Sequence, residues 1–283
     1  MMEGAVTREF RNATVDDIAR LGKTLLAGRV FASFEEVHAA CAERPWGLQV
    51  SERGEVVVLS LWREHLPLLG VDALWCAERR IAPAMLEMVA LAGEVGYAGV
   101  VSPPVPISQV FAYERAGMHV HETLIAYRHT RPGRLAAEAI AGLDDEQGRE
   151  LVVRAAGPAD VETLLALDAL CFDEFWRYDR AHLEPFVSRQ ECAVLESAHE
   201  AIGYTLCTHE RHESLLGRVA VRPEWRRRGV GGVLVRDAVG RAASSGAGAV
   251  TLVTQVDNAA SRALYERLGF RDTGSRYAFL RSD

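Results

Sequence analysis

Apolar positions recur along this chain with two periods, one near 3.6 residues and one of two. ADVETLLALDALCF carries Val161, Leu164, Leu165, Leu167 and Leu170 near helical spacing, and VLVRDAVGRAA places Leu234, Val235, Ala238, Val239 and Ala242 on one stripe. Both predict amphipathic helices. Short apolar runs predict strands at 152–154, 192–196, 202–208, 215–221 and 249–256, with SAHEA and HERHES as connecting turns. Strand 215–221, a glycine turn, a helix and strand 249–256 form a crossover that pairs strands in parallel. Embedded among hairpin-linked strands, it predicts a mixed sheet in an α/β fold.

The pattern repeats. FRNATVDDIARL (10–21) matches VRAAGPADVETL (153–164), pairing Arg11 with Arg154, Ala13 with Ala156, Asp17 with Asp160, Ile18 with Val161 and Leu21 with Leu164. AYERAGM (112–118) likewise parallels LYERLGF (264–270). At 283 residues, two domains are the natural division. The expected boundaries are 1–128, a linker at 129–150 with a helical piece over 135–143, and 151–283.

Composition narrows the classes of function. With 49% apolar and 25% charged residues the chain is an ordinary globular protein. A net charge of −7 argues against a nucleic-acid partner, so any anion site must be local. Lys23 is the one lysine, which reads as a coding bias. The five cysteines, Cys41, Cys76, Cys171, Cys192 and Cys207, show no zinc spacing, and none sits in a nucleophile motif. No metal is expected. The N-terminal residues lack the apolar core of a signal peptide, and no run of 18 apolar residues occurs, so a cytoplasmic protein without a membrane span is expected.

The chemistry concentrates in VAVRPEWRRRGVGGVLV. Here a strand passes through Arg226-x-x-Gly229-x-Gly231 directly into a helix. Backbone N–H groups of a first helical turn lack internal partners, and the helix dipole adds positive character there. Glycine permits close approach of a phosphate, and Arg226, Arg227 and Arg228 add charge-assisted donors. Neither common nucleotide-loop spacing is present. DNAASRALYERLGF follows the next strand.

This constellation, with the V-A-V-x-P lead-in at 219–223, resembles the GNAT superfamily of acyl-CoA-dependent N-acetyltransferases over residues 151–283. The resemblance implies a GNAT-like sheet flanked by helices, with acetyl-CoA as cofactor. It implies that the backbone of Val219, Ala220 and Val221 pairs with the pantetheine arm, and that Arg226, Arg227, Arg228, Gly229, Val230, Gly231 and Gly232 cradle the pyrophosphate. Asn258 caps the last helix and, in the family, also touches the cofactor. Tyr265 takes the position of a general acid for the departing thiolate, which a phenol of pKa about 10 can protonate at neutral pH. Ala260, Leu264 and Leu268 form the expected buried stripe of that helix, with Tyr265 beside it.

The chain departs from the family where the amine's base is concerned. Leu216, Gly217 and Val253 stand where relatives place acids. His209, Glu210, His212 and Glu213, in the strand connection, are the remaining candidates. Phe175, Trp176 and Tyr178 either line an acceptor pocket or pack in the core.

In the first copy, ERRIAPAML (78–86) aligns with RRRGVGGVL, so Ile81 replaces Gly229 and Pro83 replaces Gly231. Pro83 also deletes a donor. Tyr113 matches Tyr265, but the copy is expected to be degenerate and non-catalytic. The expected function is acetyl transfer to a primary amine, a small molecule or a protein N-terminus, by a monomer or homodimer. The alternative is a non-catalytic acyl-CoA sensor or scaffold.

Overall fold

The computed structural model describes residues 8–27, 30–31, 33–136, 150–209 and 212–283. The first half runs β1 (Phe10–Asn12), α1 (Val15–Ala27), α2 (Phe34–Glu43), β2 (Leu48–Ser51), β3 (Val56–Leu61), β4 (Leu68–Trp75), α3 (Ile81–Glu94), β5 (Gly99–Val101), β6 (Val105–Pro106), α4 (Val110–Glu114) and β7 (His119–His129). After α5 (Pro132–Ala136), the second half runs β8 (Leu151–Ala155), α6 (Val161–Cys171), α7 (Arg180–Ser188), β9 (Cys192–Ser197), β10 (Glu200–His209) and β11 (Glu213–Val221). It closes with α8 (Val230–Ser244), β12 (Ala249–Gln255), α9 (Ala259–Arg267) and β13 (Arg271–Arg281). Each strand and helix expected in the second half is present, in a mixed α/β fold. Of the helical piece expected over 135–143, residues 137–143 lie outside the described residues.

These elements form two compact units, Met1–Thr123 with Tyr277–Asp283, and Leu124–Arg276. They divide the chain differently from the expected boundaries at 128 and 151, and strand pairing explains why. Leu124–His129 of β7 forms an antiparallel ladder with β12, from Leu124↔Gln255 to His129↔Val250. The end of β13 pairs with β6 at Tyr277↔Pro106 and Ala278↔Val105, and with β5 at Arg281↔Val101. The terminal strand of each half therefore completes the unit built mainly from the other.

In the first unit β1, β2, β3 and β4 are antiparallel neighbours, and β4 pairs in parallel with β5. Its core joins Leu69, Val71, Met85, Met88 and Val100 to Ala278 and Leu280. In the second unit β8, β9, β10 and β11 are antiparallel, and β11 pairs in parallel with β12. One sheet face packs Tyr204, Leu206 and Ala220 against Leu164 of α6 and Leu183 and Val187 of α7. The other packs Leu216, Val250 and Leu252 against Val235, Ala238 and Ala242 of α8 and Leu268 and Phe270 after α9.

The repeated opening motif builds the same clamp twice. Arg11 Nη1 donates to Asp17 Oδ2 at 2.6 Å, and Asp17 accepts from the Thr14 N–H. Arg154 Nη1 donates to Asp160 Oδ2 at 2.8 Å, and Asp160 accepts from the Gly157 N–H. Each arginine ties its strand to the next helix, and each aspartate satisfies an otherwise orphan donor of that helix start.

The buried stripe of α9 differs from expectation. Tyr265 and Leu268 are buried, whereas Ala260 is exposed and Leu264 half-buried. The ring of Tyr265 packs 5.8 Å from Phe270 and 6.3 Å from Tyr127, so aromatic contact turns the helix toward its tyrosine.

Candidate functional site

The site begins with an irregularity in β11. Leu206 pairs with Arg218 but Cys207 pairs with Leu216, leaving Gly217 as an extra residue on β11. Such a bulge re-aims the strand. Leu216 packs with the α8 side of the sheet, while Ala220 packs with the α6 and α7 side.

The parallel ladder between β11 and β12 covers Glu213↔Ala249 to Leu215↔Thr251 and goes no further among the described residues. Beyond it the two strands part, and β11 is left with an open edge. The Arg222 N–H donates to the Ile202 carbonyl at 2.9 Å, which fixes the hydrogen-bonding phase with β10. Because such pairs alternate, Arg218 and Ala220 turn their backbone groups to β10, while Val219 and Val221 turn theirs to the open edge. The Val221 carbonyl there accepts from Arg226 Nε at 3.1 Å and from Cys171 Sγ at 3.3 Å. Among the described residues, the Val219 backbone and the Val221 N–H remain for a partner.

Arg226 to Gly229 are exposed, and two of these residues take left-handed conformations, Arg227 at φ 62° and Gly229 at φ 83°. Gly229 suits this region, but for arginine it costs about 1–3 kcal/mol, a cost that clusters at ligand-binding loops. Gly229 caps α8 without a side-chain hydrogen bond. Its carbonyl accepts from the N–H groups of Gly232 and Val233, so the free donors of the first turn belong to Val230 and Gly231. Gly232, expected in the cradle, has spent its donor. A Cβ on Gly231 would lie 3.2 Å from Leu264 of α9 and at an ordinary contact distance of 3.9 Å from Val221, so a side chain there would press on α9. Open strand edge, free helix donors and exposed arginines fit a ligand with an amide-bearing arm and a pyrophosphate.

Asn258 Oδ1 accepts from the Ser261 N–H at 3.1 Å, as an N-cap should. Tyr265 is 7% exposed, and burial raises its phenol above the ordinary tyrosine value. Among the candidate bases, Glu213 is held in an ion pair by Arg128 at 2.9 Å. His209 Nδ1 lies 3.0 Å from Ser214 Oγ, and burial lowers its pKa. His212 is exposed, and Glu210 lies outside the described residues.

The segment after α6 packs around a buried charge pair that the sequence reading passed over. Arg218 Nη1 donates to Asp168 Oδ1 at 2.6 Å, and its Nη2 donates to the Trp176 carbonyl at 2.6 Å. The Tyr204 hydroxyl also donates to Asp168, whose other oxygen accepts from the Tyr178 N–H at 2.6 Å. The guanidinium lies 3.7 Å from the Tyr178 ring and 4.0 Å from that of Phe172. Burial opposes the charge of Arg218, yet Tyr204, Tyr178 and Asp168 hold its pKa above the ordinary arginine value. Tyr178 thus belongs to this network and stacks on His182, while Phe175 is buried edge-on to Trp176. Two polar residues interrupting apolar runs, in LLALDALCF and LLGRVAV, were the available signal.

The corresponding helix start in the first unit is built otherwise. α3 begins at Ile81 with Arg80 as its N-cap at φ −99°, so Arg80, rather than Ile81, takes the place of Gly229. Arg80 Nε is engaged by Glu55 at 2.9 Å, and its Nη2 by Glu9. Pro83 then stands within the first turn.

Residues 161–270 match the model of the acetyltransferase (GNAT) family. No curated protein matches the chain significantly. Among solved structures it is similar to a GCN5-related N-acetyltransferase from Sphaerobacter thermophilus, at 18% identity and TM-score 0.61 over 98% of this chain and 96% of that one. It is similar to a tandem GNAT protein from the clavulanic acid biosynthesis pathway, at 16% identity and TM-score 0.65 over 96% of this chain and 97% of that one. A glucosamine N-acetyltransferase region of a fungal multi-domain GH3 β-N-acetylglucosaminidase aligns at 13% identity and TM-score 0.64, over 99% of this chain and 39% of that one. At such identities the likeness is one of fold. Residues 161–270 therefore carry a domain of the GNAT acetyltransferase family, within a chain whose fold follows solved GNAT proteins along nearly its whole length.

Proposed function

We propose that the chain transfers an acetyl group from acetyl-CoA to a primary amine, either a small molecule or a protein N-terminus, at the open edge of β11. The observation that carries this reading is the continuity of that edge with the α8 start, where the free N–H groups of Val230 and Gly231 stand beside exposed arginines. Val219, Ala220 and Val221 hold the pantetheine arm, Arg226 to Gly231 hold the pyrophosphate, and Asn258 borders the cofactor. Acetyl-CoA supplies a thioester open to direct attack by the amine. Tyr265, kept protonated by its burial, is the proton source for the thiolate.

Phe175, Trp176 and Tyr178 form the acceptor wall, which the Asp168 and Arg218 pair keeps in place. With Glu213 committed to Arg128, the favoured acceptors are amines of low pKa that arrive neutral. The first copy, residues 1–128, is non-catalytic, and the transferase copy, 151–283, acts in the cytoplasm as a monomer or homodimer. The commitment of Glu213 also favours a second reading, a sensor that binds acyl-CoA without turning it over.

The test is thiol release from acetyl-CoA across a panel of amines. Turnover is expected on at least one, falling roughly 100-fold in Tyr265→Phe, as loss of a general acid would. Because the acid works while protonated and its pKa is raised above 10.0, the alkaline limit of the parent's kcat should lie above pH 10. Binding without turnover on every amine supports the sensor, whereas absence of binding overturns both readings.

A further inference from the structure

A cavity of about 410 Å³ in the second unit is walled by Arg131, Arg236, Arg267 and Arg271, with no carboxylate among the described residues of its lining. Four guanidinium groups repel one another unless an anion answers them. Several other arginines of this unit are answered from within: Arg154 by Asp160 and Glu196, Arg241 by Asp237, Arg276 by Asp272. The four in the cavity have no ion pair among the described residues. In a chain of net charge −7 such a concentration of positive charge is not a consequence of composition. Leu135 and Leu268 add an apolar wall, and His129 a further polar one.

The cavity opens at the other end of β12 from the β11 edge, with Arg236 reaching back along α8 to 3.2 Å from the Cβ position of Gly232. His129 pairs with Val250, at the start of β12, whereas the β11 edge opens toward Gln255 at its end. At the rise of a strand, these two ends lie roughly 17 Å apart. The size falls in the lower part of the range of small-molecule sites. Guanidinium forks match phosphate oxygens in pairs, and the leucines suit an organic remainder.

The geometry points to a second anion site in this unit that binds a phosphorylated small molecule about the size of a mononucleotide. Its phosphate is met by the half-buried Arg236 together with the exposed Arg131, Arg267 and Arg271. The phosphate belongs either to a separate metabolite, which the strand-length separation favours, or to the 3′-phosphate of coenzyme A.

ADP serves as the probe. The full-length protein is titrated calorimetrically with ADP while saturated with dephospho-coenzyme A, and again while saturated with coenzyme A. Parent, Arg236→Gln/Arg271→Gln and Arg236→Lys/Arg271→Lys are compared, with circular dichroism to verify folding. Saturable binding is expected in the parent, weakened at least tenfold by the glutamines and less by the lysines, which retain charge. Binding in both backgrounds assigns the pocket to a separate metabolite, and binding lost only under coenzyme A assigns it to the cofactor's 3′-phosphate. Absence of saturable binding in both backgrounds, or equal affinity in the parent and the glutamine variant, overturns the site.

Discussion

Arg218 is 7% exposed and Asp168 fully buried, a placement that two charges tolerate only when each answers the other. Here every strong contact is filled: Asp168 accepts from Arg218, Tyr204 and the Tyr178 backbone, and Arg218 also reaches the Trp176 carbonyl. Removing one partner strands the other in an apolar setting. Arg218→Met should therefore lower unfolding stability by about 3–5 kcal/mol, while Asp168→Leu/Arg218→Met should lose much less than the sum of the single changes. Urea denaturation of the three variants checks this, and a loss under 1 kcal/mol in Arg218→Met would contradict it. Neither residue could be paired in advance, because they are 50 positions apart and only the fold brings them together. Tyr265 shows the same limit on a smaller scale. Its position in the chain was legible, but its burial depends on Tyr127 and Phe270, which helical spacing does not register.

Elements were more legible than contacts, since periodicity alone locates α6, α8 and the strands β8 to β12 of the second half, though not α7. The strand-to-helix clamps go further, because Arg154 with Asp160 and Arg11 with Asp17 could be matched as a repeat before their shared role was visible. Hydrogen bonding to Arg154 lowers the pKa of Asp160 from 3.8. A carboxylate whose pKa falls on folding contributes stability above its unfolded pKa and loses that contribution as pH falls through the folded value. Stability should thus decline as pH drops below about 4, and Arg154→Gln should flatten the decline by about 1 kcal/mol, given that the pair is partly exposed. Urea titrations at pH 6, 4 and 2.5 measure both slopes, and identical slopes would contradict the clamp. The turn before α8 was legible as a glycine spacing. The left-handed Arg227 was not, because no spacing rule places arginine there.

At the scale of the whole molecule the described residues form two units whose helix starts, at α3 and α8, are built differently. The repeat was legible, but the destinations of β7 and β13 were not, since pairing partners far along the chain decide them. The asymmetry of the two helix starts carries the functional claim. Gly229 opens α8 in a left-handed turn with free donors behind it, whereas Arg80 opens α3 in a right-handed one and is held by Glu55 and Glu9. Calorimetric titration of the full-length protein with acetyl-CoA tests that claim most directly. One equivalent should bind per chain, with affinity at least tenfold weaker in Gly231→Pro, where a first-turn proline is compatible with the helix but deletes a donor. Two equivalents per chain, or unchanged affinity in Gly231→Pro, would contradict it.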